Sequence, residues 1–188
     1  MNDVLVKATD LVGRPVVTLD GMQVGEVKDV VLGLGEATLI GFTLRNPGFL
    51  GGPMKETVPW RSIHAVGPDA VMIPSVDATG DPEAVDDSDA HAATEIPVVT
   101  DDGAEVGRVT DVVLATGCPP EVVGFEIEAG EKMPSSGSRV LLPIEAMRAA
   151  SSEAVVVPPT ATDFVHDDLS GFGAAVDRFR ASLEGDER

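Results

Sequence analysis

Three histidines, one cysteine and many carboxylates are the residues of this chain able to do metal, nucleophilic or acid–base chemistry, and their spacing decides among those uses. His64, His91 and His166 stand far apart, so no zinc-type ligand spacing results. Cys118 precedes Pro119-Pro120 with no basic neighbour in sequence to stabilise a thiolate, so it reads as an ordinary thiol. Asp29 and Asp111 share strand parity with Val27 and Val31, or with Val109 and Val113, which aims an acid at an apolar face in both places. General acid–base work would need a recurring partner His, Lys or second carboxylate. None accompanies them, and the expected role is bonding to backbone amides near a turn. Asp77, Asp81, Glu83, Asp86, Asp87 and Asp89 crowd the stretch from Ser75 to Ala93. A calcium loop would need alternating ligands, a central Gly and a terminal Glu in register, which this stretch lacks.

Two glycine-rich segments fail similar tests. Gly48-Phe49-Leu50-Gly51-Gly52-Pro53-Met54-Lys55 ends on a lysine, but a phosphate-cradling loop requires Gly-Lys-Ser/Thr at the start of a helix. Gly171-Phe172-Gly173 opens a dinucleotide-like pattern, yet Val176 occupies the place of the third glycine. The sequence therefore gives no catalytic residue, no metal ligand and no cofactor site, and the expectation is a protein that is not an enzyme.

Composition narrows the partners. The chain has 188 residues with 32 acids against 13 bases, a formal charge of −19. Such a surface repels phosphate backbones and anionic membranes, so neither direct nucleic-acid binding nor membrane insertion is expected. No stretch approaches the roughly 20 apolar residues of a spanning helix. Met1 to Asp10 lacks the basic start and apolar run of a signal peptide, and a single cysteine cannot form an intrachain disulfide. A cytoplasmic location follows as an expectation. Aromatics make up 4% with no Tyr, while Val and Ala abound. Any core is therefore built of small branched side chains, which favours strands.

The elements repeat. Asp20-Gly21-Met22-Gln23-Val24-Gly25-Glu26-Val27-Lys28-Asp29-Val30-Val31-Leu32 returns as Asp102-Gly103-Ala104-Glu105-Val106-Gly107-Arg108-Val109-Thr110-Asp111-Val112-Val113-Leu114, identical at nine of thirteen positions. Pro15-Val16-Val17-Thr18 matches Pro97-Val98-Val99-Thr100, and Ile40-Gly41-Phe42-Thr43-Leu44 matches Val123-Gly124-Phe125-Glu126-Ile127. Val58-Pro59 pairs with Leu142-Pro143, and Ala70 to Pro74 with Ala154 to Pro158, the offset drifting from 82 to 84. Two copies of one module are the reading.

Each copy predicts five short antiparallel strands closing into a small barrel, an all-β fold. Alternation puts Ile40, Phe42 and Leu44 on a buried face, as it does Val123, Phe125 and Ile127. Gly41 and Gly124 mark close backbone approach, and the Asp-Gly pairs mark tight turns. Pro59 to Ile63 and Pro143 to Met147 read as short helical turns. The expected boundaries are 1–76 and 94–160 for the barrels, 77–93 for a flexible acidic linker, and 161–188 for a C-terminal tail. In that tail Leu169, Phe172, Val176, Phe179 and Leu183 form an apolar stripe on a helix from about Ser170 to Leu183, with Ser170 as N-cap. The stripe is expected to pack on a barrel, with dimerisation as the competing reading.

A Gly-x-Val-x-Asp-Val second strand, a Gly-Phe third strand, a Pro-led helical turn and an apolar last strand, in that order, resemble the PRC-barrel family over about Leu11 to Pro74 and Thr94 to Pro158. That family takes its name from a photosynthetic reaction-centre subunit and includes part of a ribosome-maturation factor and stand-alone prokaryotic proteins. The resemblance implies an adaptor that docks proteins, with no shared catalytic set. An RNA-processing or ribosome-assembly factor acting through a ribosomal protein is the alternative, and an enzyme using an inter-barrel cleft a more distant one. The protein partner stays unidentified and homodimerisation is left open. The residues expected to bind a partner are Arg45, Phe49, Leu50 and Trp60, because the first copy is apolar where the second has the polar Glu131 to Gly137; the competing reading is that Phe49, Leu50 and Trp60 only cover the end of their own barrel.

Overall fold

The computed structural model describes residues 4–33, 38–48, 51–80, 95–116, 120–133, 135–151, 153–174 and 176. Strand β1 (Leu5–Lys7) runs into the single-turn helix α1 (Ala8–Leu11), whose Leu11 is fully buried. The first copy then supplies β2 (Pro15–Thr18), β3 (Gln23–Gly33), β4 (Thr38–Arg45), β5 (Pro53–Pro59), β6 (Ala65–Val66) and β7 (Val71–Ile73). The second supplies β8 (Pro97–Thr100), β9 (Glu105–Ala115), β10 (Glu121–Ala129), β11 (Arg139–Pro143), β12 (Ala149–Ala150) and β13 (Val155–Val157). The first sheet has the order β5-β4-β3-β2-β7-β6 and the second β11-β10-β9-β8-β13-β12, so the copies match strand for strand. The chain divides into two compact units.

Burial follows the repeat. Val16, Val27, Val31, Phe42, Leu44, Val58, Val71 and Ile73 are buried in the first copy, and their counterparts Val98, Val109, Val113, Phe125, Ile127, Leu142, Val155 and Val157 in the second. Each such side chain contributes about 1.5–3 kcal/mol by leaving water, which is how a core with one central Phe per barrel can hold strands this short. Gly41 and Gly124 allow the neighbouring strand to come close: a Cβ at Gly41 would lie 2.3 Å from the Val58 carbonyl oxygen, and one at Gly124 2.4 Å from that of Leu142.

Several expectations change in detail. A two-residue strand, β6 or β12, joins the five anticipated in each copy. The first and last main strands pair in parallel, β2 with β7 and β8 with β13, rather than antiparallel. The strict alternation of β4 also fails. Val31 pairs with Gly41 and Leu32 with Leu39, so Ile40 is the extra residue of a bulge; Leu39 is buried and Ile40 only half-buried. A second bulge at Lys28 sets Val27 against Leu44 but Asp29 against Thr43. Directly opposed residues share a face, so Asp29 lies on the side of Thr43 and not with Val27. It receives the Thr43 hydroxyl at 3.4 Å and pairs with Lys28 at 2.9 Å, in place of the expected backbone amide. Asp111 does accept a backbone N–H, that of Val112 at 2.8 Å.

Each barrel also extends beyond its last strand. A 3₁₀ turn, Val76–Ala78, leads to Gly80, which bridges Thr57 of β5; a longer one, Pro159–Phe164, leads to His166, which bridges Leu141 of β11. These are equivalent positions of the repeat, so residues expected at the start of the linker and of the tail complete the two barrels. The C-terminal helix begins at Leu169, and Asp168 caps it by accepting the Gly171 N–H at 2.8 Å; Ser170, the expected cap, instead donates its hydroxyl to Asp168. Phe172 and Val176 are buried, and Phe172 sits on Gly124, where a Cβ would meet its ring at 2.4 Å. The stripe therefore packs on its own barrel as far as Val176; Phe179 and Leu183 lie outside the described residues.

Candidate functional site

The Asp-Gly turn between β2 and β3 defines one end of the first barrel. Gly21 takes a φ of +88°, open to glycine, and its N–H donates to the Thr18 carbonyl at 2.9 Å. The Thr18 hydroxyl, fully buried, donates to the Asp20 carboxylate and accepts the Met22 N–H at 2.9 Å. Thr100, Asp102, Gly103 and Ala104 repeat the arrangement in the second copy, with Gly103 also at +88°. The turn chemistry is thus common to both copies, and the expected equivalence of Asp20 and Asp102 is observed.

The strand register brings further elements to the same end. Arg45, the last residue of β4, lies opposite Glu26 near the start of β3. The two form an ion pair at 2.9 Å, and Glu26 also accepts the Gly48 N–H at 3.2 Å. The Asn46 N–H donates to the Gly52 carbonyl at 2.9 Å, closing the base of the loop. Arg45 is therefore a strut at the root of this loop. Phe49 and Leu50 lie outside the described residues. Strand β7 runs parallel to β2, so its exit arrives here too: the Leu19 N–H donates to the Ile73 carbonyl at 3.0 Å, and Val76 follows three residues on.

Trp60 is not part of this end. It follows Pro59, which pairs with Gly41, whereas Arg45 pairs with Pro53. Four residues of β4 separate the two levels, about 13 Å of strand. Trp60 is half-buried beneath the Arg61 guanidinium, 5.6 Å from its ring centroid. Of the residues proposed from sequence to form one patch, Arg45 and Trp60 thus stand at opposite ends of the β4–β5 pair.

Sequence reasoning missed the exposed apolar residues of the turn end. Leu19 is 55% exposed, Met22 54% and Val76 44%. By the offsets of the repeat their counterparts are Asp101, Ala104 and Thr160, and Asp101 forms an ion pair with Arg148 at 2.9 Å. The signal was present in the alignment of the two copies, in the differences flanking the shared Asp-Gly. Among the described residues, the ionisable groups near this end include Asp20, Asp77, the Glu26–Arg45 pair, Lys55 and Glu56 on β5, and His64, whose backbone N–H donates to the Met72 carbonyl at 2.8 Å. Among the described residues no cluster of His, Cys, Asp and Glu forms a metal site, and no helix is long and apolar enough to cross a membrane.

No curated protein matches the chain. A family model described as the PRC-barrel domain matches it twice, over residues 3–79 and 94–163, each match containing the six strands of one copy. With two sheets of one strand order and one buried core repeated position by position, the chain belongs to the PRC-barrel domain family as a tandem duplication.

Proposed function

We propose that this protein is a non-enzymatic, cytoplasmic adaptor that docks another protein on its first barrel. The observation that supports it is the contrast between the two copies: the Asp-Gly turns and most core positions match, while Leu19, Met22 and Val76 stay exposed in the first copy and become Asp101, Ala104 and Thr160 in the second. A fold needs its core conserved between copies; it has no need of exposed leucine and methionine beside a turn that the second copy builds without them. Large apolar side chains grouped in water are a feature of interaction surfaces. The test is affinity capture with the immobilised full chain against lysate of the native cell, read by quantitative mass spectrometry. Specific retention of a defined protein is expected, and retention no different from bare matrix, or chemical turnover of a metabolite by the purified chain, overturns the adaptor reading.

A further inference from the structure

We infer that the Leu19, Met22 and Val76 end of the first barrel takes a cationic segment of another protein, one that carries apolar side chains flanked by Lys or Arg. The inference rests on the adaptor reading above and specifies its partner. The three residues lie at one barrel end because β2 and β7 run parallel and leave the sheet together, with Thr18 opposite Ile73. Leu19 and Met22 flank one turn, and Val76 opens the 3₁₀ turn that follows β7. Met is an adaptable anchor and Leu a shaped one, a pairing suited to an irregular apolar partner.

Charge selects among occupants. Asp20 lies between the two apolar turn residues and Asp77 follows Val76. Among the described residues, Glu26 and Arg45 offset each other in an ion pair, Lys55 and Glu56 are adjacent in sequence, and His64 at the level of Met72 is formally neutral at pH 7. The local balance is therefore acidic, on a chain whose formal charge is −19. A second copy would bring an equal negative charge against it, whereas a basic segment is drawn in by the same field. Apolar anchors inside a charged rim are the usual anatomy of such a surface. The second barrel shows the converse: its equivalent end carries Asp101 in an ion pair with Arg148, and among the described residues it has Ala104 and Thr160 in place of Met22 and Val76.

The test uses the full chain and three synthetic helical peptides, followed by fluorescence anisotropy: one with a Leu face and a Lys face, one with the same Leu face and Glu, and one with Lys and Ser in place of Leu. The variant Leu19→Asp, Met22→Ala, Val76→Thr installs residues that the second copy already accommodates, and circular dichroism checks its folding. Binding of the Leu–Lys peptide is expected, weaker by at least tenfold in the triple variant and for both control peptides, about the effect of losing one interface anchor. Met22→Ala alone should weaken binding several-fold and serves if the triple variant does not fold. Binding by the folded variant within twofold of the parent chain, or equal binding of the Leu–Glu peptide, overturns the inference. So does a parent dimer in sedimentation that the variant abolishes, since the occupant would then be a second copy. Native partners retained equally by parent and variant in the capture experiment would sink this surface while leaving the adaptor reading standing; no capture and no peptide binding would sink both.

Discussion

Thr18 and Thr100 show how a polar residue can sit in an apolar barrel without penalty. Each is buried, and each hydroxyl closes the turn by accepting an N–H two residues beyond the Asp that it bonds. Replacing either by Val keeps the shape and removes the acceptor, leaving the Met22 or Ala104 N–H to find another. We expect Thr18→Val and Thr100→Val each to lose about 1–3 kcal/mol in urea unfolding; a loss under a few tenths would mean that water replaces the hydroxyl at no cost. Asp168 makes a different prediction. The Ser170 hydroxyl, and after it the Gly171 N–H, hold its carboxyl below the ordinary value of 3.8. The folded state thus favours the ionised form, so the cap is at full strength above that value and is lost as pH falls through the lowered one. The Gly171 amide resonance should move in that acid range in the parent chain and not in Asp168→Asn, which caps without titrating. A shift of equal size in the Asn variant would assign the change to another group.

Strands and turns were legible in the sequence because the repeat aligned them twice, and the Asp-Gly turns and strand glycines carry their geometry in their residue types. Bulges were not. One extra residue on one strand, Ile40 or Lys28, leaves no trace in composition, yet it turned Asp29 from the side of Val27 to that of Thr43. The bridges of Gly80 to Thr57 and His166 to Leu141 escaped for a related reason, being single pairs between distant residues with no pattern around them. The apolar stripe of the C-terminal helix was readable from its spacing, and its consequence is a packing prediction. Phe172 is fully buried and its ring fills the space left by Gly124. Phe172→Ala should cost about 3–5 kcal/mol, measured by denaturant unfolding, because the cavity faces a strand backbone that cannot collapse into it. A cost under 1 kcal/mol would show that the helix contributes little to the barrel. The Asp-Gly end of the first barrel was only half legible: Arg45 was named from the sequence but its ion pair with Glu26 was not foreseen, and Trp60 was grouped with residues that the register places at the other end of the β4–β5 pair.

At the level of the full chain, duplication and charge pull in different directions. Duplication preserves much of the core, while 32 acids against 13 bases act on the whole chain. Two of the ion pairs among the described residues, Arg108 with Glu105 and Arg148 with Asp101, are exposed on both sides, and pairs of that kind are worth about 0–1 kcal/mol each. The excess of acids has no such partners to neutralise it, and its mutual repulsion acts against the compact state. Salt weakens both terms, because the screening length shrinks from about 30 Å at 0.01 M to about 3 Å at 1 M. Screening a few exposed pairs loses little, while screening a net charge of −19 relieves a repulsion that involves every acid on the surface. The melting temperature should therefore rise by several degrees between about 0.02 M and 1 M sodium chloride in thermal circular dichroism. Potassium chloride should act alike, since the effect depends on ionic strength and not on a bound ion. A melting temperature that falls with salt would mean that the ion pairs outweigh the repulsion, and that the acids are arranged to stabilise the fold.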